Sequence, residues 1–295
     1  MNVSIAYLSV VLIWSTTPLG IIWSSETVNP MMAVFLRMFL AMIIGTLFLV
    51  VMRIHIPTTK QAMKLYSYST IGVFGGMFWG YMASRYVSSG LMSLIFGLAP
   101  IISGLMAQKI LNEPKFTPLR WFAFSVSLFG LAIVAWHNIS TGSSELIGIA
   151  FVLLGVFFFS LSAVMVKSVH INIHPFATTL GALYFSVPLF FMCWLLLDGE
   201  INIAQWSAKS IGAIIYMGIF ASLIGFLGYF YILQKLNATT VALVTLMTPP
   251  LAITLGTLIN DEPVGPNLFI GALFVIIGLT LYQVGGRRIK AKQLE

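Results

Sequence analysis

Ten long apolar stretches, separated by short polar connections, divide the chain: 3–23, 31–52, 66–84, 90–111, 119–136, 147–167, 176–197, 210–233, 240–259 and 267–284. Each is close to the length, about 20 residues, at which a helix crosses the hydrocarbon layer of a bilayer. None shows the short alternating segments of a membrane β-barrel. Inside a bilayer the backbone must satisfy its own hydrogen bonds, so unbroken apolar runs predict helices. The pattern therefore predicts an all-α polytopic membrane protein with ten transmembrane helices and no soluble domain. The first run has no basic residue before it and no small-x-small cleavage site, so it is expected to remain as the first span.

The polar positions between these stretches repeat. Sliding the chain by 149 residues lays Tyr81–Pro114 on Phe230–Pro263 without a gap, pairing Leu94 with Leu243, Pro100 with Pro249, Ile110 with Ile259, Glu113 with Glu262 and Pro114 with Pro263. What recurs is a polar turn, an apolar helix broken by proline, and an Asn-Glu-Pro or Asp-Glu-Pro stop. Nearby offsets pair Trp14-Ser15 with Phe159-Ser160, Asn29-Pro30 with His174-Pro175, and Gly130 with Gly278. Repeats of this kind define the architecture before any single element does. Five spans per copy is odd, so the copies cross the membrane in opposite directions. The expected organisation is two inverted five-helix repeats, 1–140 and 145–286, followed by a basic tail, 287–295. In such proteins the substrate site lies near the midplane, where the copies meet.

Composition agrees. Hydrophobic residues make up 59% of the chain and charged residues 8%, far below the roughly 25% of soluble domains. The net charge of +7 invites a nucleic-acid reading, but the loops account for it. With the termini in the cytoplasm, twelve basic residues fall on that side, against Arg85 and Lys209 outside and Arg37 within a span. This asymmetry predicts cytoplasmic N and C termini and no nucleic-acid partner. The single cysteine, Cys193, sits in an apolar run and offers neither a disulfide framework nor a metal site.

Catalysis in a membrane needs convergent ionisable groups, and the spans contain no acidic residue. His55, His137, His170 and His174 fall in loops or at helix ends. No enzyme activity, cofactor or metal is expected. Arg37 is the exception, either a structural cation bonded to helix ends or an anchor for a carboxylate. Pro100 and Pro249-Pro250 interrupt the fourth and ninth helices in mid-span. Freed carbonyls at that depth are tolerated only against protein or a water-filled cavity. The hydroxyls of Ser93, Ser103, Thr245 and Thr248 then either line that cavity or bond their own helix backbones. Trp14-Ser15 and Phe159-Ser160 occupy equivalent positions and suit two walls of one cavity, with Trp79 and Tyr229 on the third and eighth spans. The small residues Gly72, Gly75, Gly76, Gly80, Gly218, Ala221, Ser222, Gly225 and Gly228 predict close helix packing.

Taken together, Trp14-Ser15, Asn29-Pro30 with Arg37, Ser84–Gly90, Pro100, Asn112-Glu113-Pro114, Lys235–Thr239, Pro249 and Asp261-Glu262-Pro263 resemble the drug/metabolite transporter superfamily, in its ten-span EamA-type exporter branch. The resemblance covers Met1–Gly286. It implies a carrier of the bacterial inner membrane with a central cavity between the halves, exporting amino acids, other metabolites or toxic compounds. One departure is Pro250, where an aliphatic residue is usual. The four-span multidrug branch uses a first-helix glutamate for proton coupling; the corresponding stretch here, LIWSTTPLG, has no acid. The residues expected to contact substrate are Trp14, Ser15, Arg37, Trp79, Ser93, Pro100, Phe159, Ser160, Tyr229, Thr245, Thr248 and Pro249. The expected function is export of small, neutral or zwitterionic, amino-acid-like metabolites by alternating access, by a monomer whose partners are substrate and lipid. The alternatives are a multidrug exporter of apolar compounds and a non-transporting scaffold.

Overall fold

A computed structural model describes the backbone of residues 2–141, 144–237, 240–241 and 243–292; the side chains of 137–141 and 286–292 lie outside the described residues. The regular elements among them are helices. In chain order they are α1 (Val3–Ser24), α2 (Pro30–Met52), α3 (Lys60–Thr70), α4 (Gly76–Ala83), α5 (Ser89–Phe96), α6 (Ala99–Ile110), α7 (Pro118–Thr141), α8 (Glu145–Ser168), α9 (Pro175–Leu197), α10 (Ala208–Tyr216), α11 (Gly225–Lys235), α12 (Val244–Asn260) and α13 (Pro266–Lys292). Wider π turns, Ile71–Gly75 and Met217–Ile224, join α3 to α4 and α10 to α11. Among the described residues, eight helices are long and apolar enough to cross a membrane: α1, α2, α5 with α6, α7, α8, α9, α10 with α11, and α13. The apolar α12 is shorter, and α3–α4, which opens on the polar Lys60–Thr70 segment, is not among the eight. This is a polytopic helical membrane protein.

Local sequence sets the helix starts. Asn29 accepts a hydrogen bond from the Met31 amide and Pro30 opens α2. His174 does the same for Phe176, with Pro175 opening α9. A side-chain acceptor followed by proline at the first helical position satisfies one orphan amide and removes another. The third apolar stretch, expected from 66, is helical from Lys60 because Thr59 caps it, accepting from the Ala62 amide. The fourth, expected as one helix, is interrupted at Gly97-Leu98, next to Pro100, whose ring blocks a regular turn. The ninth, expected from 240, runs as α12 from Val244; residues 238, 239 and 242 are outside the described residues. The basic tail continues α13 in backbone as far as Lys292, and residues 293–295 are outside the described residues.

Packing between helices follows a pattern that survives exchange of the two halves. Helix α1 lies against α11 and α12, and α8 lies against α4 and α6. The pairs α2 with α9, α7 with α13, and α5 with α12 map onto themselves. Glycines allow the close approaches. A Cβ at Gly75 would lie 2.7 Å from Phe158 Cβ of α8, and one at Gly228 2.7 Å from Val10 Cγ2 of α1. Between α7 and α13, a Cβ at Gly130 would meet the Gly271 carbonyl at 2.6 Å. Without a hydrophobic drive between helices in lipid, such contact is what holds them together.

Candidate functional site

A cavity of about 60 Å³ lies at the centre, walled by both halves. From the first half come Trp14, Thr17, Pro18 and Ile21 of α1, Arg37 of α2, Met77 of α4, and Met92, Ser93 and Phe96 of α5. The second contributes Phe159 of α8, Ala221, Phe226 of α11, and Thr245 and Thr248 of α12.

Arg37 is the one charge in this lining. Its side chain is 1% exposed, donates from Nε to Ser222 Oγ at 3.0 Å and from a terminal nitrogen to Tyr81 Oη at 3.3 Å. Its guanidinium carbon sits 5.7 Å from the Tyr81 ring centre. Tyr81 Oη in turn meets Ser24 Oγ at 3.1 Å. These bonds engage two of the five N–H donors of a guanidinium. Both of these hydrogen bonds go to neutral hydroxyls, so neither partner offsets the Arg37 charge. A buried cation beside a cavity makes that cavity attractive to an anionic group.

The proline breaks meet beside the cavity. A Cβ at Gly97, where α5 ends, would lie 3.5 Å from Pro249 Cγ, and Ser93 Oγ donates to Thr248 Oγ1 at 3.4 Å. Pro249 has no N–H for the Thr245 carbonyl; the Thr248 hydroxyl donates to that carbonyl instead, at 3.1 Å. Thr248 thus bonds its own helix and also borders the cavity. Ser103 donates to the Ala99 carbonyl of its own helix at 2.7 Å, and so does Ser160 from across, at 3.4 Å.

Trp14 and Phe159, paired by the repeat, touch edge to face with ring centres 5.6 Å apart. Tyr229 completes a three-ring cluster, 5.1 Å from Trp14 and 5.2 Å from Phe159. Of the twelve residues expected at the site, Trp14, Arg37, Ser93, Phe159, Thr245 and Thr248 line the cavity. Tyr229 backs the aromatic wall. Pro100 and Pro249 are buried at the breaks. Ser15 is turned to its own helix, donating to the Val11 carbonyl at 2.7 Å. Trp79 belongs to another cluster, with Phe78 and Phe151.

Other lining residues carried no distinguishing signal: Thr17, Pro18, Met77, Met92 and Phe226 read as ordinary span residues. Outside the lining, Glu262 did carry a signal, its identity with Glu113. Its carboxylate accepts from the Ser89 amide at 3.0 Å, the Ser89 hydroxyl at 2.7 Å and the Gly90 amide at 3.4 Å, capping α5 from the other half. Asn260 donates to Glu262 at 3.0 Å and accepts from Trp23 Nε1 at 2.7 Å. This polar latch ties α1 and α5 to the end of α12, on one side of the cavity.

Comparison with known proteins places these features. The profile of the EamA-like transporter family matches residues 2–136 and 146–283. An "Uncharacterized transporter" from Archaeoglobus fulgidus is 24% identical over 268 residues, covering 90% of this chain and 93% of its own. A "Probable terminal-alkyne amino-acid exporter" from Streptantibioticus cattleyicolor is 24% identical over 212 residues, covering 70% of this chain and 68% of its own. A solved structure superposes with a TM-score of 0.70 over 97% of this chain and 98% of its own, at 16% identity; that likeness shows the fold.

Proposed function

The chain belongs to the EamA-like transporter family, and from that premise we propose that it exports small neutral or zwitterionic metabolites, amino acids among them, by alternating access between two inverted five-helix repeats. The observation that carries the reading is the central cavity. It draws walls from both halves and combines one buried cation, hydroxyls at the proline breaks and an aromatic face. Arg37 suits a carboxylate, Thr245 and Thr248 a polar group, and Trp14 and Phe159 an apolar side chain. The name of the Streptantibioticus relative supports the same substrate class.

The remaining parts of the proposal follow from helix count and charge. Adding α3–α4 and α12 to the eight long helices gives ten crossings, five per half. The basic asymmetry supports cytoplasmic termini, and the family resemblance supports a bacterial inner membrane. The latch at Glu262 then lies outside. A cavity of about 60 Å³ is well below the roughly 300 Å³ or more of sites that enclose small molecules, so loading requires the helices to part. Rocking one repeat against the other around the proline breaks enlarges it on one side at a time.

A second reading, export of apolar drugs, rests on Ile21, Met77, Met92 and Phe96 in the same lining. Comparing small molecules released by cells expressing the protein with those released by vector controls separates the two. Enrichment of amino-acid-like compounds is expected. Enhanced efflux of lipophilic dyes alone favours the second reading, and release matching the control refutes both.

A further inference from the structure

A second cavity, about 330 Å³, lies away from the central one, among α3, α8, α9, α11 and the connection after α8. Its walls include Lys167, Thr178, Phe230 and Gln234. Two helices run through both cavities. On α8, Phe159 faces the centre and Val166 this pocket; on α11, Phe226 faces the centre and Phe230 this pocket. At 1.5 Å per residue the two lie roughly 6 to 10 Å apart along these helices. Between them stand the rings of Tyr229 and Phe230, 5.2 Å apart, and the Trp14–Phe159–Tyr229 cluster.

Two of the polar groups here are donors with capacity to spare. Lys167 gives one hydrogen bond, from Nζ to the Leu233 carbonyl at 2.8 Å, of the three an ammonium can make. Thr178, 1% exposed, has a buried hydroxyl with no hydrogen-bond partner. It lies in the first turn of α9, where the helix dipole is positive. Glu113 acts on the Lys167 charge and has contacts of its own. Gln234 donates to the Ile173 carbonyl at 2.6 Å. A fixed ammonium and an unpaired hydroxyl at one roomy pocket, near the positive end of a helix whose first amides are already bonded to His174, fit an oxyanion.

We propose that this pocket is a loading site, which binds the carboxylate of the transported molecule before that molecule passes the aromatic cluster to Arg37. The inference rests on the transport reading for its role, though not for its chemistry. A carboxylate takes the two free Lys167 protons and the Thr178 hydroxyl, and an apolar side chain lies against Phe230 and Leu233. A phospholipid phosphate presents the same oxyanion and is the competing occupant.

The test reads Lys167 directly. The purified full chain, in phosphatidylcholine nanodiscs, is treated with an amine-acetylating reagent, and modification of Lys167 is followed by mass spectrometry. Read relative to the exposed Lys60 in the same sample, because the amine of the added ligand also consumes reagent, acetylation of Lys167 is expected to slow about tenfold at saturating phenylalanine, the scale of one charge-assisted hydrogen bond. Phenylalaninamide, which lacks the carboxylate, protects little, and Thr178→Val loses most of the protection. Equal protection by acid and amide, or none by either, overturns the proposal. Protection conferred by phosphatidylglycerol in the nanodisc, undiminished in Thr178→Val and not exchanged by phenylalanine, assigns the pocket to lipid and also overturns it. Transport in liposomes is scored separately: protection without transport removes the exporter reading and leaves the site standing, whereas transport without protection does the reverse.

Discussion

Replacing Arg37 by alanine separates the two roles this residue can have. The structure gives it two side-chain hydrogen bonds, to Ser222 and Tyr81. Bonds to a charged group contribute about 1.5–3 kcal/mol each. Against that loss stands the relief of removing a cation from membrane depth, about 2.5–3.5 kcal/mol on insertion scales. The relief offsets roughly half or more of the loss of about 3–6 kcal/mol, so Arg37→Ala is expected to remain folded in the membrane, with its thermal transition lowered by a few degrees. Transport has no such compensation. Loss of one charge-assisted contact to a carboxylate lowers kcat/KM by about tenfold to a hundredfold. Arg37→Lys keeps the charge but loses the fork that reaches Ser222 and Tyr81 together, so it is expected to fall between alanine and wild type. The assay is uptake of a radiolabelled amino acid into liposomes holding each variant, with yield and monodispersity checked for each. Wild-type transport by Arg37→Ala refutes the reasoning. Loss of folded protein in that variant assigns Arg37 to structure alone.

Two further perturbations address the latch and the aromatic wall. Glu262→Ala removes the acceptor that caps α5 from the other half, so a cysteine at Ser93, in a Cys193→Ser background, is expected to react faster with an impermeant maleimide from outside; an unchanged rate shows that the latch does not close that side. Gly225→Ala places a methyl 2.6 Å from Trp14 Nε1, so the ring must move; transport is expected to fall severalfold with a shift in tryptophan fluorescence, and wild-type values for both refute the role given to Trp14.

Most of the fold was legible because a bilayer leaves few solutions: an apolar run of sufficient length must be helical. Repeated landmarks also marked real devices. Asn29-Pro30 and His174-Pro175 both start helices through a side-chain acceptor and a proline, and Trp14 and Phe159 do meet. The interruption at Gly97-Leu98 follows from Pro100, although the cost to the backbone falls a turn earlier than the proline itself. What sequence did not yield was direction. Ser15 and Ser160 matched as well as their aromatic neighbours, yet each hydroxyl finds a backbone carbonyl, a choice decided by a rotation of about 100° per residue around a helix. The partners of Arg37 were hidden for a related reason. Tyr81 and Ser222 lie 44 and 185 residues away, and no periodicity links them. Glu262 read as a stop signal, and only packing of the two halves turned it into a cap.

The proposed export carries neutral or zwitterionic molecules through a cavity whose described lining contains no acid, along a largely electroneutral path. The most direct measurement is transport by the purified protein in liposomes with no imposed proton gradient, following a labelled zwitterionic amino acid beside a permanently cationic dye. The amino acid is expected to equilibrate at a rate proportional to the protein present, while the dye is not. Strict dependence on a proton gradient, or preference for the dye, would contradict it.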